Sequence, residues 1–187
     1  MPRWNPDPQE RLVTAAVELF RQHGYDAVTV TDIAEKAGLT RRSFFRHFSD
    51  KREVLFAGSH ANLPGITRLV EEYPPDVTAR DAVMGALIQV GEYLLADPAA
   101  QALRQDLIDG SPELQERERT KLADMAAALA AGLVLRGTPP ADAHSIGVFS
   151  AGIFHSAYVR ALRSHPAGSF SDQLHASAAV IARFLAE

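Results

Sequence analysis

Cysteine is absent from this 187-residue sequence, and its absence excludes two kinds of protein. A chain without thiols can form neither a disulfide framework nor a thiolate metal site. Long apolar runs are absent too: the most apolar stretch, IGVFSAGIF at 146–154, is far below the roughly 18 residues that span a bilayer. The first ten residues, MPRWNPDPQE, lack the apolar segment of a secretory signal. We therefore expect a cytoplasmic protein that does not enter a membrane.

The sequence also lacks the motifs that mark common enzymes. It contains no H-E-x-x-H pair, no glycine-rich phosphate loop and no nucleophile elbow. His144 and His155 lie eleven residues apart on one predicted helix, about 16 Å along its axis, which is too far to bind one metal ion. His165 and His175 flank a predicted loop, and we favour two solvated side chains there. We expect no catalytic residue, no metal and no cofactor.

Positive charges are outnumbered by negative ones overall but are concentrated in one stretch. The formal net charge is −4, yet residues 1–52 hold nine Lys and Arg against seven Asp and Glu, a balance of +2. Residues 53–187 hold ten against sixteen, a balance of −6. Within 41–52 alone, five cations face one carboxylate, a balance of +4. Such a cluster is either a solvated helix face or a surface for an anionic partner.

Start and stop signals delimit a first helix. The segment DPQE at 7–10 offers a capping Asp7, a proline for the first helical position and a glutamate for a capping box. Apolar residues from Leu12 to Phe20 then recur at helical spacing. Gly24 can adopt the left-handed backbone conformation that ends this helix, and Tyr25 can cover its last turn.

Capping residues, glycines and prolines along the rest of the chain predict further helices and no strands. Thr29 and Thr40 can cap two short helices on either side of Gly38, and Asp50 can cap a longer one that NLPG at 62–65 interrupts. No alternating strand pattern or hairpin signal appears. Later helices are predicted at 65–73, 79–96, 98–109, 112–135, 140–164 and 171–186. The fold class is therefore all-α, with a small N-terminal and a larger C-terminal part.

The stretch from 29 to 48 fits a helix-turn-helix. Two short helices join across a glycine, a third helix precedes them, and the small Ala34 lies where the short helices cross. Phe44 and Phe48 supply the inward stripe of the second short helix. The outward side chains are then Arg41, Arg42, Phe45 and Arg46, with His47 to one side. Such cations neutralise phosphates in a salt-dependent way, and Arg41 or Arg42 can pair with a guanine. Together these features favour duplex DNA as the partner.

Residues 15–56, AAVELFRQHGYDAVTVTDIAEKAGLTRRSFFRHFSDKREVLF, resemble the TetR family of bacterial transcriptional repressors. The first helix, the Gly-aromatic turn and the F-x-x-K ending carry the resemblance. It implies an N-terminal helix-turn-helix DNA-binding domain at 1–50, a connecting helix at 51–62, and a helical ligand-binding and dimerisation domain within 51–187. It also implies a homodimer that binds an inverted-repeat operator in double-stranded DNA and releases it when a small-molecule effector binds.

The family motif also indicates which residues would contact DNA. By position they are Thr29, Thr31, Thr40, Arg41, Arg42, Ser43, Phe45, His47 and Lys51. Thr29 fits equally well as a helix cap. Phe45 replaces the tyrosine that the family usually has, which leaves only packing on sugar or a thymine methyl. Arg52 replaces a common acidic residue, and we expect it to add charge close to the DNA backbone.

In the TetR family, which this sequence resembles, the last two long helices pack against the same two helices of a second subunit and form a four-helix bundle. A dimer also meets the need to place two recognition helices in major grooves roughly 34 to 36 Å apart. Small and large residues alternate along 141–164, as close helix packing requires. The predicted interface residues are Ile146, Gly147, Phe149, Ala151, Phe154, Tyr158, Leu162, Leu174, Ile181 and Phe184. The alternative is that this helix belongs to the core of a single chain.

Candidate effector contacts are polar residues within apolar helices, namely Gln89, Tyr93, Arg104 and His155. Each of them also fits as an ordinary core or surface group. The NLPG segment could carry a hinge motion, or Pro64 could simply end a helix. The alternative function is a helical protein-interaction adaptor that does not read DNA sequence.

Overall fold

The computed structural model describes residues 7–57, 63–163 and 169–187, and every regular element in those ranges is helical. The elements are α1 (Pro8–His23), α2 (Val30–Lys36), α3 (Arg41–His47), a 3₁₀ turn (Arg52–Val54), α4 (Leu63–Glu71), α5 (Ala79–Leu94), α6 (Pro98–Asp109), α7 (Pro112–Leu135), α8 (Pro140–Arg163) and α9 (Phe170–Phe184). The predicted all-α class is confirmed. Across these ranges no helix has the length and apolar character needed to cross a bilayer.

α1 follows its predicted course, with one difference at its start. The helix ends at Gly24, whose φ of +79° is left-handed and whose N–H donates to the carbonyl of Phe20 at 2.9 Å. Tyr25 covers this end, its ring centroid 5.2 Å from that of Phe20. Asp7, however, makes no side-chain cap. Its backbone carbonyl instead accepts from Arg11 N–H at 3.0 Å, which begins the helical ladder.

The helix predicted after Asp50 is much shorter than expected. The Asp50 carboxylate accepts from the N–H groups of Arg52 at 2.8 Å and Glu53 at 3.2 Å, but the turn it caps is only three residues long. Pro64 is the second residue of α4, where its fixed φ suits a helix start. It therefore stands at the beginning of a helix and does not interrupt one. Asn62, the first residue of the expected hinge, lies outside the described residues.

The chain divides into two compact units, and the first is not a continuous segment. It comprises the described residues of Met1–His60 together with Leu103–Arg117. Ile108 and Leu114 are fully buried in the same apolar core as α1, α2 and α3. The sequence placed residues 103–117 in the C-terminal domain, because order along the chain does not reveal which core a helix end joins.

The second unit comprises the described residues of Ala61–Ala102 together with Glu118–Glu187. Its core takes side chains from α4, α5, α7, α8 and α9. Close packing in this unit depends on glycines, of which Gly91 and Gly147 are two examples. A Cβ at Gly91 would lie 2.0 Å from the Phe170 ring, and one at Gly147 would lie 2.4 Å from the carbonyl oxygen of Ala126. A larger side chain at either position would force α5 away from α9, or α8 away from α7.

Candidate nucleic-acid interface

The segment from Thr29 to Phe48 forms the predicted helix-turn-helix. Thr29 caps α2 in a reciprocal box, since its hydroxyl accepts from Asp32 N–H at 3.2 Å and its own N–H donates to the Asp32 carboxylate at 2.8 Å. The Thr29 hydroxyl also donates to the Asp32 carboxylate at 2.7 Å, and this bond, followed by the one from the Thr29 N–H, holds the pKa of Asp32 below its usual range. Ala34, at the expected crossing point, is buried. The reciprocal bonds explain why so short a helix begins at a defined residue.

The turn between α2 and α3 is held by a residue that the motif did not single out. Gly38 has a φ of +66°, a conformation that glycine adopts without strain. Arg11, from α1, reaches across to donate to the carbonyl oxygens of Ala37 and Gly38. The end of α2 is thereby tied to α1. Arg11 carries no local signal for this role, because its acceptors lie 26 and 27 residues away.

α3 is fixed to the core by aromatic residues on one side. Thr40 caps it by accepting from Ser43 N–H at 3.1 Å. Phe44 and Phe48 are both buried, with ring centroids 5.5 Å apart. This arrangement agrees with the inward stripe expected from the sequence, and it leaves the opposite side of the helix to solvent.

The exposed side of α3 carries three cations and one aromatic ring. We name the set Arg41, Arg42, Phe45 and Arg46 the α3 face; all four are exposed. Within the described part of the chain, no carboxylate pairs with any of its three guanidinium groups. The Arg41 guanidinium carbon lies 5.6 Å from the centroid of the Phe45 ring. The α3 face is therefore a cationic surface whose donors are available to an anionic partner.

Lys51 does not project freely, contrary to the expectation for a phosphate contact. Its ammonium donates to the carbonyl oxygens of Tyr25 at 2.8 Å and Val28 at 3.0 Å, and it lies 3.9 Å from the centroid of the Tyr25 ring. An ammonium has three donors, so two of them are already used inside the protein. Lys51 thus ties the α1–α2 turn to the residues that follow α3.

Arg52 is also engaged within the first unit. Its guanidinium pairs with Asp50 at 2.7 Å and with Glu113 at 3.4 Å. The hydrogen bond from Arg52 holds the pKa of Asp50 below its usual range, and the same pair raises the pKa of Arg52. Arg52 is therefore not an unpaired cation, because two carboxylates already pair with it. Its contribution of charge close to the DNA backbone stays a prediction.

The other predicted DNA contacts differ in exposure. Thr29, Thr31 and Thr40 are exposed, whereas Ser43 and His47 are half-buried. The Ser43 hydroxyl lies 3.0 Å from that of Thr40, so both hydroxyls take part in the cap of α3. All of these positions stay predictions. Among the predicted contacts, Arg41, Arg42 and Phe45 belong to the exposed α3 face.

The four candidate effector contacts are not brought together. Gln89 and Tyr93 line one shallow groove between α4 and α5, and Tyr93 is 71% exposed. His155 is half-buried on α8 and does not line that groove. Arg104 belongs to the first unit, where it donates to the carbonyl of Leu55 at 2.8 Å and lies over the Phe56 ring. Arg104 thus has a structural role within the first unit, and its role as an effector contact stays a prediction.

The predicted dimer residues fall into buried and exposed groups. Five are buried in the chain's own core and offer no surface to a second copy, which corrects the prediction for Gly147, Ala151, Phe154, Tyr158 and Leu174. Ile146, Leu162 and Ile181 are half-buried. Phe149 and Phe184 are exposed, at 60% and 72%. One side of α8 therefore packs into the core of its own chain, as the alternative interpretation of this helix expected.

The other side of α8 joins α9 in an exposed apolar surface. We name it the α8–α9 strip, and its members are Val148, Phe149, Val180, Phe184 and Leu185. A groove of about 210 Å³ runs through it, with the exposed Gly152 in its wall. The sequence interpretation missed Val148 and Val180. Their helical spacing was visible, but the pattern could not show which of two apolar sides faces the core.

Residues 12–57 match the family model described as bacterial regulatory proteins, tetR family. The chain is 31% identical over 108 residues to MftR of Mycobacterium tuberculosis, a regulator named for mycofactocin biosynthesis, covering 58% of this chain and 54% of that protein. It is 30% identical over 112 residues to the HTH-type transcriptional regulator TcmR of Streptomyces glaucescens, covering 57% and 50%. The chain thus spans about half the length of the curated relatives it matches.

Solved structures share the whole fold. FadR of Thermus thermophilus, a TetR-family repressor solved with lauroyl-CoA, superposes with a TM-score of 0.60 at 20% identity, covering 92% of both chains. The SmeT–triclosan complex gives a TM-score of 0.61 at 18% identity, covering 92% of this chain and 90% of the other. Residues 12–57 are thus similar to the helix-turn-helix domain of the tetR family, and the chain shares its helical fold with these two solved structures.

Proposed function

We propose that this protein is a DNA-binding transcriptional regulator, a repressor that reads an operator through the α3 face. The observation that carries the proposal is the set of three exposed guanidinium groups on a helix whose other side is locked by buried aromatic rings. Arginine matches both phosphate and the guanine edge in geometry. Buried anchors hold the helix that carries these donors in place, so its backbone has little order to gain on binding. The proposal assigns the chain no catalytic activity.

The proposal includes a homodimer. The α8–α9 strip exposes large apolar side chains on adjacent helices, and such a surface is more stable when it is covered by a partner. A second copy supplies the same strip by symmetry, as isologous interfaces do. Two copies of α3 would then meet two half-sites, and the operator would be an inverted repeat.

The proposal also includes release by a small molecule. FadR and SmeT, which share the fold, were solved with lauroyl-CoA and triclosan. By analogy we place the effector site in the second unit. A ligand that binds more tightly to a dimer conformation whose two α3 helices do not match the half-site spacing would weaken operator binding. The coupling free energy between ligand and operator binding is typically about 1 to 3 kcal/mol.

Selection of bound fragments from random duplex DNA, followed by titration at several salt concentrations, tests the proposal. We expect a symmetric site with half-sites about one helical turn apart, and an affinity that falls by orders of magnitude on a modest rise in salt. Triple substitution of Arg41, Arg42 and Arg46 by alanine should abolish binding. Arg21→Ala, which removes an exposed cation from α1, is the matched control and should leave binding intact. No binding to any duplex at low salt, with salt-insensitive protein partners instead, would establish the adaptor alternative.

A further inference from the structure

Phe45 stands apart from the other exposed apolar residues of the chain. It is 47% exposed, whereas the other large apolar side chains with high exposure in the described ranges, Tyr93 to Leu185, all lie in the second unit. Its ring meets Phe44 edge-on, with centroids 5.5 Å apart, so one edge of the ring is supported by the core. The remaining surface of the ring is presented to solvent among cations. An apolar ring in that position has no role in closing the core of its own unit.

The ring is paired with Arg41. The two residues are four apart on α3, and the guanidinium carbon lies 5.6 Å from the ring centroid, within the range of a cation–π contact. This contact restricts the rotamers of a long side chain and holds its planar fork next to the ring. The pair therefore presents five N–H donors beside an apolar disc as one preassembled unit.

The chemistry of the major groove decides what such a pair can read. A guanidinium fork matches the O6 and N7 acceptors of guanine. A phenyl ring offers no hydrogen bond, so the only base edge it complements is the C5 methyl group of thymine. Phosphate contact, which a tyrosine hydroxyl could make at this position, is closed to Phe45 because the ring has no polar atom.

We propose that Arg41 and Phe45 read two adjacent base pairs in each half-site, a guanine through its N7 and O6 atoms and a thymine through its methyl group. The proposal rests on the proposed DNA-binding function and adds the identity of two bases. It makes the affinity of the protein depend on one methyl group per half-site. Phe45 is then a determinant of sequence specificity and does not merely fill space against the DNA backbone.

Thymine-to-deoxyuracil replacement tests this directly, since it removes only the methyl group. In the site selected from random DNA, each thymine of a half-site is replaced in turn and binding is measured by fluorescence anisotropy at fixed salt. We expect one position at which deoxyuracil weakens binding about fourfold, the ratio expected for one buried methyl group. At the adjacent guanine, 7-deazaguanine, which lacks the N7 acceptor, should also weaken binding.

Variants assign these effects to the two side chains. Phe45→Ala should bind the thymine and deoxyuracil sites equally, and Arg41→Ala should no longer distinguish guanine from 7-deazaguanine. Phe45→Tyr keeps the ring and should keep the methyl dependence. Arg21→Ala, away from the α3 face, should retain both ratios. Circular dichroism of Phe45→Ala checks that the exposed substitution leaves the fold intact.

The results separate the two proposals. A protein that binds no duplex overturns the DNA-binding function itself. A protein that binds its selected site but shows no methyl-sensitive thymine overturns this inference alone, and so does a methyl effect that persists in Phe45→Ala. In either of those cases Phe45 packs on deoxyribose and reads no base.

Discussion

Single residues near α3 differ by what they already bind. Arg41, Arg42 and Arg46 have no carboxylate partner among the residues described, whereas Lys51 and Arg52 donate to atoms of the protein itself. A donor that is already satisfied must exchange one partner for another before it can bind phosphate, so its net contribution to DNA affinity is small. Position in a motif therefore does not by itself make a cation a DNA contact.

Lys51→Ala should destabilise the first unit. Two carbonyl oxygens of the α1–α2 turn would lose a charged donor, and we expect the free energy of unfolding to fall by about 1 to 3 kcal/mol. Denaturant unfolding measures this. Lys36→Ala, which breaks only the exposed pair with Glu18, is the control and should have little effect. Unchanged stability together with uniformly weaker duplex binding would show that Lys51 acts as the phosphate contact of the family motif instead.

Asp50→Asn should destabilise the protein in a pH-dependent way. The pKa of Asp50 is lowered, chiefly by the hydrogen bond from Arg52, so the folded state binds the proton less readily than the unfolded state. The carboxylate therefore contributes stability above the unfolded pKa of about 3.9, and that contribution is lost as the pH falls through the lower folded pKa. Unfolding curves of wild type and variant should differ at pH 7 and converge below about pH 4. A difference that is constant across this range would exclude the ion pair as its cause.

Among the helices, α2 and α3 are the ones that most need help from their neighbours. Each has seven residues, well below the length at which an isolated helix is stable. Both begin at a threonine cap, and Arg11 from α1 closes the turn between them. The α3 face is thus presented by an element whose order depends on caps and burial.

Thr40→Ala should weaken α3 without touching the core. The Ser43 N–H would lose its side-chain acceptor, and loss of a threonine cap typically costs about 1 kcal/mol of stability. Thr14→Ala replaces an exposed threonine in the middle of α1, where alanine is the better helix former, and serves as the matched control. Thermal unfolding of both variants provides the comparison. Equal effects would mean that the cap of α3 contributes nothing.

At the scale of the whole molecule, the second unit is distinguished by apolar residues that stay exposed. The α8–α9 strip combines side chains from two helices that also pack on each other through the other side of α8. One chain uses one side of α8 for its own core and leaves the other uncovered. The homodimer proposed above would bury that second side, because association removes apolar surface from water.

Phe149→Glu should shift the protein from dimer to monomer. A carboxylate at the centre of the strip would have to lose its hydration on association, at a cost of several kcal/mol. Sedimentation equilibrium measures the mass, and operator binding at low protein concentration should weaken in parallel. Leu135→Glu, at a site of nearly equal exposure on α7, is the control and should leave the mass unchanged. A wild-type protein that is monomeric at every concentration would contradict the dimer outright.

Local signals were sufficient to determine most of the helices from the sequence, although not the short turn after Asp50. Proline at a first position and glycine or proline after a last turn act through the backbone of the residues beside them, which is why the predicted bounds of α6, α7 and α8 agree with the structure to within one residue. The buried aromatic stripe of α3 followed in the same way from a spacing of four. The resemblance to the family motif also needed only a contiguous stretch of sequence.

The tertiary structure decided what the side chains bind and which core each segment joins. Lys51 has its acceptors 23 and 26 residues away, Arg104 reaches Leu55 across 49 residues, and Arg52 pairs with Glu113. The placement of residues 103–117 in the first unit, and the choice of which side of α8 stays exposed, have the same origin. All of these depend on contacts between distant parts of the chain. Periodicity and capping act over a few residues, so they carry no information about such contacts.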